Sequence, residues 1–163
     1  MLTYNGKEEV NVRVLEGRSR LGGRLYSESN VDLGASWSWT DHDTALSELT
    51  NALGISYTPQ YVEGTAIIQQ GDSLFSQRNV SPSGSGSTRF LGTTSSIIEK
   101  LSDELKHKKN NVEVEVFLYT TVISIQKNAE QKYTINCKPS VQNKIQSDVV
   151  VFSLPPLLAA GIT

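Results

Sequence analysis

Cysteine is nearly absent from this sequence: Cys137 stands alone. An internal disulfide is therefore excluded, and a cysteine-based zinc site is disfavoured. Histidine is almost as scarce. His42 and His107 lie in regions of different composition, without a ligand set at metal spacing. Asp41-His42-Asp43 reads as a helix cap, so no metal site is expected. Charge of one sign is also lacking. The 15 basic and 17 acidic side chains leave a net charge of −2, which points to neither nucleic acid nor an anionic membrane as partner. No apolar run approaches the roughly 20 residues of a membrane helix. The segment Met1–Glu9 has no apolar core of a secretory signal. A reducing, cytoplasmic location is the default expectation. No serine sits in a G-x-S-x-G elbow, and no internal repeat is visible.

What is present suits a globular domain with a real core. Hydrophobic residues make up 37% and charged residues 20% of the 163. Val10, Val12 and Val14 alternate with Asn11 and Arg13, predicting a strand over 10–16. Ser27–Asn30 reads as a polar turn and Val31–Trp37 as an extended piece. Asp41 or Asp43 is expected to cap a helix running to about Leu53, with Gly54 just past its end. Its apolar stripe is Ala45, Leu46, Leu49, Ala52 and Leu53. Gln70-Gly71-Asp72-Ser73 reads as a hairpin turn. Ser81–Ser87, rich in serine and glycine, cannot bury a core and is the expected boundary. Ile97, Ile98, Leu101 and Leu105 predict a helix over 94–106. Residues 112–126 are β-prone, 132–137 form a further strand with Cys137 packed, and Asp148–Ser153 is expected as a strand buried on both faces. Leu154-Pro155-Pro156 then ends it.

One window carries chemistry. Val14-Leu15-Glu16-Gly17-Arg18-Ser19-Arg20-Leu21-Gly22-Gly23-Arg24 ends an apolar strand in a carboxylate, then sets a glycine pair among arginines. A carboxylate at a strand's carboxyl end can accept both hydroxyls of a ribose. Gly22 and Gly23 let main-chain amides approach a pyrophosphate. Arg18 and Arg24 present forked donors to phosphate oxygens. A bare glycine pair beside surface arginines would be an ordinary turn; strand, acid, arginines and glycines in this order argue for an adenine dinucleotide site.

This window resembles the "LEAR-x-R-x-GGR" segment of the flavin-containing amine oxidases, which include monoamine and polyamine oxidases. Weaker matches follow in order. Val31-Asp32-Leu33-Gly34-Ala35-Ser36-Trp37 resembles "DLGG-S/A-x-aromatic". Phe90-Leu91-Gly92 and the helix after it resemble "GG-x-x-x-L", with Thr93 in place of the second glycine. Thr121–Ile125 resembles the family's adenine-side strand, and Val149–Pro156 resembles "VI-x-A-x-PP". The resemblance implies FAD as cofactor and an α/β fold: a partial FAD-binding, Rossmann-like domain with a parallel sheet plus an antiparallel β layer. It implies that Glu16 binds the adenosine ribose and that Arg18, Gly22, Gly23 and Arg24 line the pyrophosphate or the adjoining flavin chain. Gly34, Ala35 and Ser36 would lie against the isoalloxazine, and Val122 would present main chain to adenine. The implied division is 1–79 as the first part of the FAD-binding domain, 80–89 as a flexible linker, and 90–163 as the second part.

A dinucleotide site also needs a first strand, a G-x-G-x-x-G turn and a helix whose amides hold the pyrophosphate. Only nine residues precede Val10. The short serine-glycine connector stands where the family has a long substrate-binding region. The expectation is thus a truncated member, with an amine as the family's substrate class, no catalytic residue assigned, and one sheet edge open to self-association. Two other readings stand beside it: a non-catalytic remnant acting as a structural or interaction module, and a piece of an NAD-binding reductase. The Gly-Gly-Arg signature favours flavin over the last.

Overall fold

The valine alternation at the start of the chain forms β1 (Val10–Leu15), and a second alternation, Val112, Val114 and Val116, forms β8 (Val112–Phe117). The two strands pair in parallel, residue for residue, from Val10 opposite Val112 to Leu15 opposite Phe117. Parallel pairing across some hundred residues of chain is the signature of a crossover fold rather than a meander. The computed structural model describes residues 9–61, 63–78, 86–106, 111–138 and 144–162. These fall into two compact units. The first comprises 22–106; the second joins 9–21 to 111–162.

In the second unit the chain leaves β8 through a turn at Leu118-Tyr119-Thr120, where Tyr119 has φ +54°. It continues as an antiparallel sheet: β9 (Thr121–Lys127), β10 (Tyr133–Lys138) and β11 (Ile145–Ser147), in the order β11-β10-β9. Ile135, Cys137 and Ile145 are buried at its centre, with Leu15, Val122, Ile125 and Val150 packed around them. The lone cysteine is therefore a core residue, as its β-prone surroundings predict. Burial raises its thiol pKa.

Among the described residues, the first unit holds three antiparallel strand pairs and two helices. β2 (Ser27–Glu28) and β3 (Val31–Asp32) pair across Ser29-Asn30, both at positive φ, as a two-residue loop matched to strand twist requires. β4 (Tyr57–Pro59) pairs with β7 (Thr88–Phe90), and β5 (Thr65–Gln70) pairs with β6 (Ser73–Arg78) about Gly71-Asp72. Helix α1 (Thr44–Ala52) and helix α2 (Ser95–Lys106) cover the core of Ile55, Phe90 and Ile97. Tyr57 and Phe90 are direct partners in the β4–β7 register, with ring centroids 5.1 Å apart. Leu46, Leu53 and Leu101 close around them.

The expected hairpin about Gly71, the α2 boundaries and Gly54 past the end of α1 all match. Four local expectations do not. Ser27–Asn30 supplies β2 as well as its turn. β3 stops at Asp32, because the Leu33 and Gly34 amides both turn back to the Tyr26 carbonyl. Asp43 makes no side-chain cap; its carboxylate accepts from the Trp39 amide at 3.0 Å instead. Asp148–Ser153 forms no strand. Among the described residues no strand pairs with it, and Val149 and Val151 stand 72% and 84% exposed. An apolar run specifies burial only where a neighbouring strand satisfies its main chain. The chain instead enters α3 (Pro156–Ala159), whose first-turn proline suits a helix start. Most of the expected 80–89 linker lies outside the described residues. The overall class is a mixed, sheet-dominated fold with few helices, containing both a parallel strand pair and an antiparallel layer.

Candidate functional site

The candidate residues fall into two patches, one in each unit. In the second unit β1 delivers Glu16 to the turn after β8. The Glu16 amide donates to the Phe117 carbonyl at 2.9 Å, and its own carbonyl accepts from Thr120 at 2.8 Å. The Arg18 carbonyl accepts from the Tyr119 amide at 2.9 Å. This clamps residues 16–18 against 117–120. Gly17 lies so near Thr121 that a Cβ there would come within 3.1 Å of its hydroxyl oxygen. Glu16, Arg18 and Val122, the residue after Thr121, are thereby brought into one neighbourhood.

The Glu16 carboxylate is oriented from within. Its Oε1 accepts the Arg18 amide at 2.8 Å, which leaves Oε2 for a hydroxyl donor. Glu16 is half-buried and Arg18 is exposed. Val122 turns its side chain into the Ile135–Cys137–Ile145 core. Its strand β9 is an outer strand of its sheet, so part of that main chain is not used in pairing.

In the first unit the glycine pair and the Gly34–Ser36 turn meet. Gly22 and Gly23 have φ of +102° and +54°, a region open to glycine at little cost. The Leu25 amide donates to the Gly22 carbonyl at 2.8 Å, closing a tight turn. Nothing lies within 4 Å of where a Gly23 Cβ would be, so that side of the turn faces open space. A Cβ on Gly34, by contrast, would collide with the Arg24 carbonyl oxygen and lie 3.0 Å from its carbon. Only glycine permits that approach. Gly34 donates to the Tyr26 carbonyl at 3.1 Å and Ala35 to the Arg24 carbonyl at 3.4 Å. Gly22, Gly23, Arg24, Gly34, Ala35 and Ser36 thus form one main-chain-rich surface. Arg24 is exposed beside it.

Asp32, which sequence reasoning gave no role, lies two residues before Gly34. Its Oδ1 accepts from Ser27 Oγ at 2.6 Å, the Thr94 amide at 2.9 Å and Thr94 Oγ1 at 2.8 Å. Burial pushes its pKa up, but the bonds from Ser27 and Thr94 and the charge of Arg89 outweigh burial, so the carboxyl lies below its ordinary value. Its partner is 62 positions away, and no local pattern announces it. Among the described residues no group of three or more His, Cys, Asp or Glu could hold a metal ion, and no helix is long and apolar enough to cross a membrane.

Each patch, taken by itself, carries groups of a kind that an adenine dinucleotide uses: a pre-oriented carboxylate and an outer strand in one, a glycine-rich turn and an exposed guanidinium in the other. Among solved structures, the chain resembles wild-type putrescine oxidase bound to putrescine, with a TM-score of 0.66. It also resembles a double mutant from a redesign of cofactor binding in that enzyme, with a TM-score of 0.67. Each match is 13% identical and covers 95% of this chain and 60% of the other. At that identity the likeness is one of fold. The family model for flavin containing amine oxidoreductases matches residues 1–111, and the chain belongs to that family. A probable flavin-containing monoamine oxidase A from Dictyostelium discoideum is 35% identical over 109 residues, 63% of this chain. The matched stretch spans about a quarter (24%) of that relative's length. Family membership makes this an oxidoreductase-family flavoprotein sequence with FAD as the implied cofactor.

Proposed function

We propose that this chain supplies part of the FAD-holding surface of an amine oxidase. The observation that carries this is the meeting of Arg24 with Gly34 in the first unit, where a glycine is required by the neighbouring main chain. In the second unit, Glu16 accepts ribose hydroxyl hydrogens through Oε2 while Oε1 stays on the Arg18 amide, and the main chain about Val122 faces adenine. In the first unit, Gly22, Gly23 and Arg24 suit the pyrophosphate or the adjoining flavin chain; Arg18, in the second unit, offers a guanidinium for the same kind of group. Gly34, Ala35 and Ser36 support the ring system and exclude water from one side of it. On this reading 1–79 and 90–163 are successive parts of one Rossmann-like FAD-binding region, with 80–89 joining them.

When bound, the flavin supplies the acceptor for a hydride equivalent from the carbon of a C–N bond, giving an imine that water hydrolyses. The substrate class is a small-molecule amine, and no residue of this chain is assigned to the chemical step. A reducing compartment such as the cytoplasm suits the lone free thiol. The outer edge of β1 is unpaired among the described residues and is the route by which copies would associate.

The test is reconstitution of the 163-residue chain with FAD. The wild type should retain yellow absorbance after desalting, and Glu16→Ala should weaken FAD binding about tenfold, the scale of one charge-assisted hydrogen bond. A chain that unfolds cooperatively yet takes up no FAD and releases no peroxide with amines would sink this reading in favour of a structural module.

A further inference from the structure

The β2–β3 hairpin has almost nothing apolar to hold it. Tyr26, Val31 and Leu33 are all exposed, the last two at 56% and 60%. Its half-buried members are Ser27 and Asp32, which are polar. Both face the start of α2. Ser95 donates to Ser27 Oγ through its hydroxyl at 2.9 Å and its amide at 3.3 Å. The Ser27 hydroxyl in turn donates to Asp32 Oδ1, and the fully buried Thr94 donates two further bonds. A carboxylate accepting three hydrogen bonds at a helix start is a firm attachment. The Gly34–Ser36 turn begins two residues after Asp32, and its amides return to Tyr26 and Arg24, just before Ser27. Whatever holds Ser27 and Asp32 therefore holds both sides of the surface made by Arg24 and Gly34–Ser36.

We propose that Asp32 is a positioning residue for the cofactor surface: its carboxylate ties the hairpin to the start of α2 and so fixes the Gly34–Ser36 main chain where the flavin is to lie. This rests on the FAD reading above for the identity of the ligand, but not for the tether. The lowered pKa of Asp32 accords with a carboxylate kept ionised for this purpose.

The experiment compares wild type, Asp32→Ala and Ser27→Ala in the full chain by amide hydrogen exchange without FAD, and by FAD titration followed through the flavin absorption spectrum. Asp32→Ala should speed exchange at Gly34 and Ala35 about tenfold and weaken FAD binding by a similar factor, with Ser27→Ala smaller in both. The bound flavin spectrum should shift, while amides in β1 and β8 keep wild-type exchange. Unchanged exchange at Gly34 and Ala35 in a folded Asp32→Ala overturns the proposal, as does faster exchange with unaltered FAD affinity. Should Asp32→Ala fail to fold, Ser27→Ala decides by the same criteria. If the wild type takes up no FAD, the cofactor reading fails alone, and exchange still decides the tether.

Discussion

The two units of this chain are held together by different chemistry. Among the described residues, every buried polar side chain (Ser38, Thr50, Ser87 and Thr94) belongs to the unit of residues 22–106. The unit built on β1 and β8 buries Ile135, Cys137 and Ile145, all apolar or nearly so. The contrast teaches how each candidate patch is positioned. Glu16 is placed by strand register, a repetitive device that alternating valines specify. The Gly34–Ser36 turn is placed by individual hydrogen bonds: Gly34 to the Tyr26 carbonyl, Ala35 to the Arg24 carbonyl and, two residues earlier, Thr94 to Asp32. Register tolerates substitution along a strand; a hydrogen-bonded node does not, because a removed partner leaves a buried group unsatisfied.

The sharpest way to break the comparison is to hollow out each core separately. Ile97→Ala and Ile135→Ala should each cost about 2–4 kcal/mol. The chain carries its own reporters, since both tryptophans, Trp37 and Trp39, lie in the first unit and the only cysteine lies in the second. Ile97→Ala should lower the denaturant midpoint seen by tryptophan fluorescence. Ile135→Ala should speed modification of the Cys137 thiol, which burial shields in the wild type. Equal movement of both readouts by both variants would mean one cooperative block, and the contrast drawn here would be wrong.

Acid should separate the units next. Burial raises the Asp32 pKa, but the hydrogen bonds from Ser27 and Thr94 and the charge of Arg89 bring the folded value below the ordinary one. The unfolded chain then binds the proton more readily than the folded chain. The resulting stabilisation is complete above the ordinary carboxylate value and is lost as pH falls through the lower folded value. The tryptophan-reported stability of wild type should decline across that window, whereas Asp32→Asn should start lower at neutral pH and decline less. Parallel acid curves for the two proteins would remove the Asp32 charge from the account.

The same division governs what could be read from the sequence. Features written in local period were legible: the β1 alternation, the Ile97–Leu101 spacing of α2, and the Gly71-Asp72 turn. The family was legible in the Glu16-to-Arg24 window because acid, glycines and arginines lie within nine residues. What failed was context. Val149-Val150-Val151 looks the same whether or not a strand lies beside it, and only Val150 packs against the core. The one fully buried position of α1 is Thr50, which an apolar stripe does not predict; it is satisfied by the Leu46 and Ser47 carbonyls. Asp32 was read as part of a motif, and its task appeared only when α2 met the hairpin.

The smallest expected effect tests whether register alone positions Glu16. Arg13 and Glu115 are direct partners across β1 and β8, with Nε and Oε2 3.1 Å apart, and both side chains are about half exposed. Water screens such a pair, and ordering two long side chains offsets much of the attraction, so its worth is about 0.2–1 kcal/mol. If the valine ladder sets the strand register, Arg13→Ala should change stability by less than about 1 kcal/mol and leave exchange at the Glu16 and Arg18 amides as in wild type. Raised salt should reduce even that difference, since exposed charges are readily screened. A larger loss, or faster exchange at those two amides, would show that a surface ion pair shares in holding the carboxylate, and the parallel unit would then depend on single contacts much as its neighbour in sequence does.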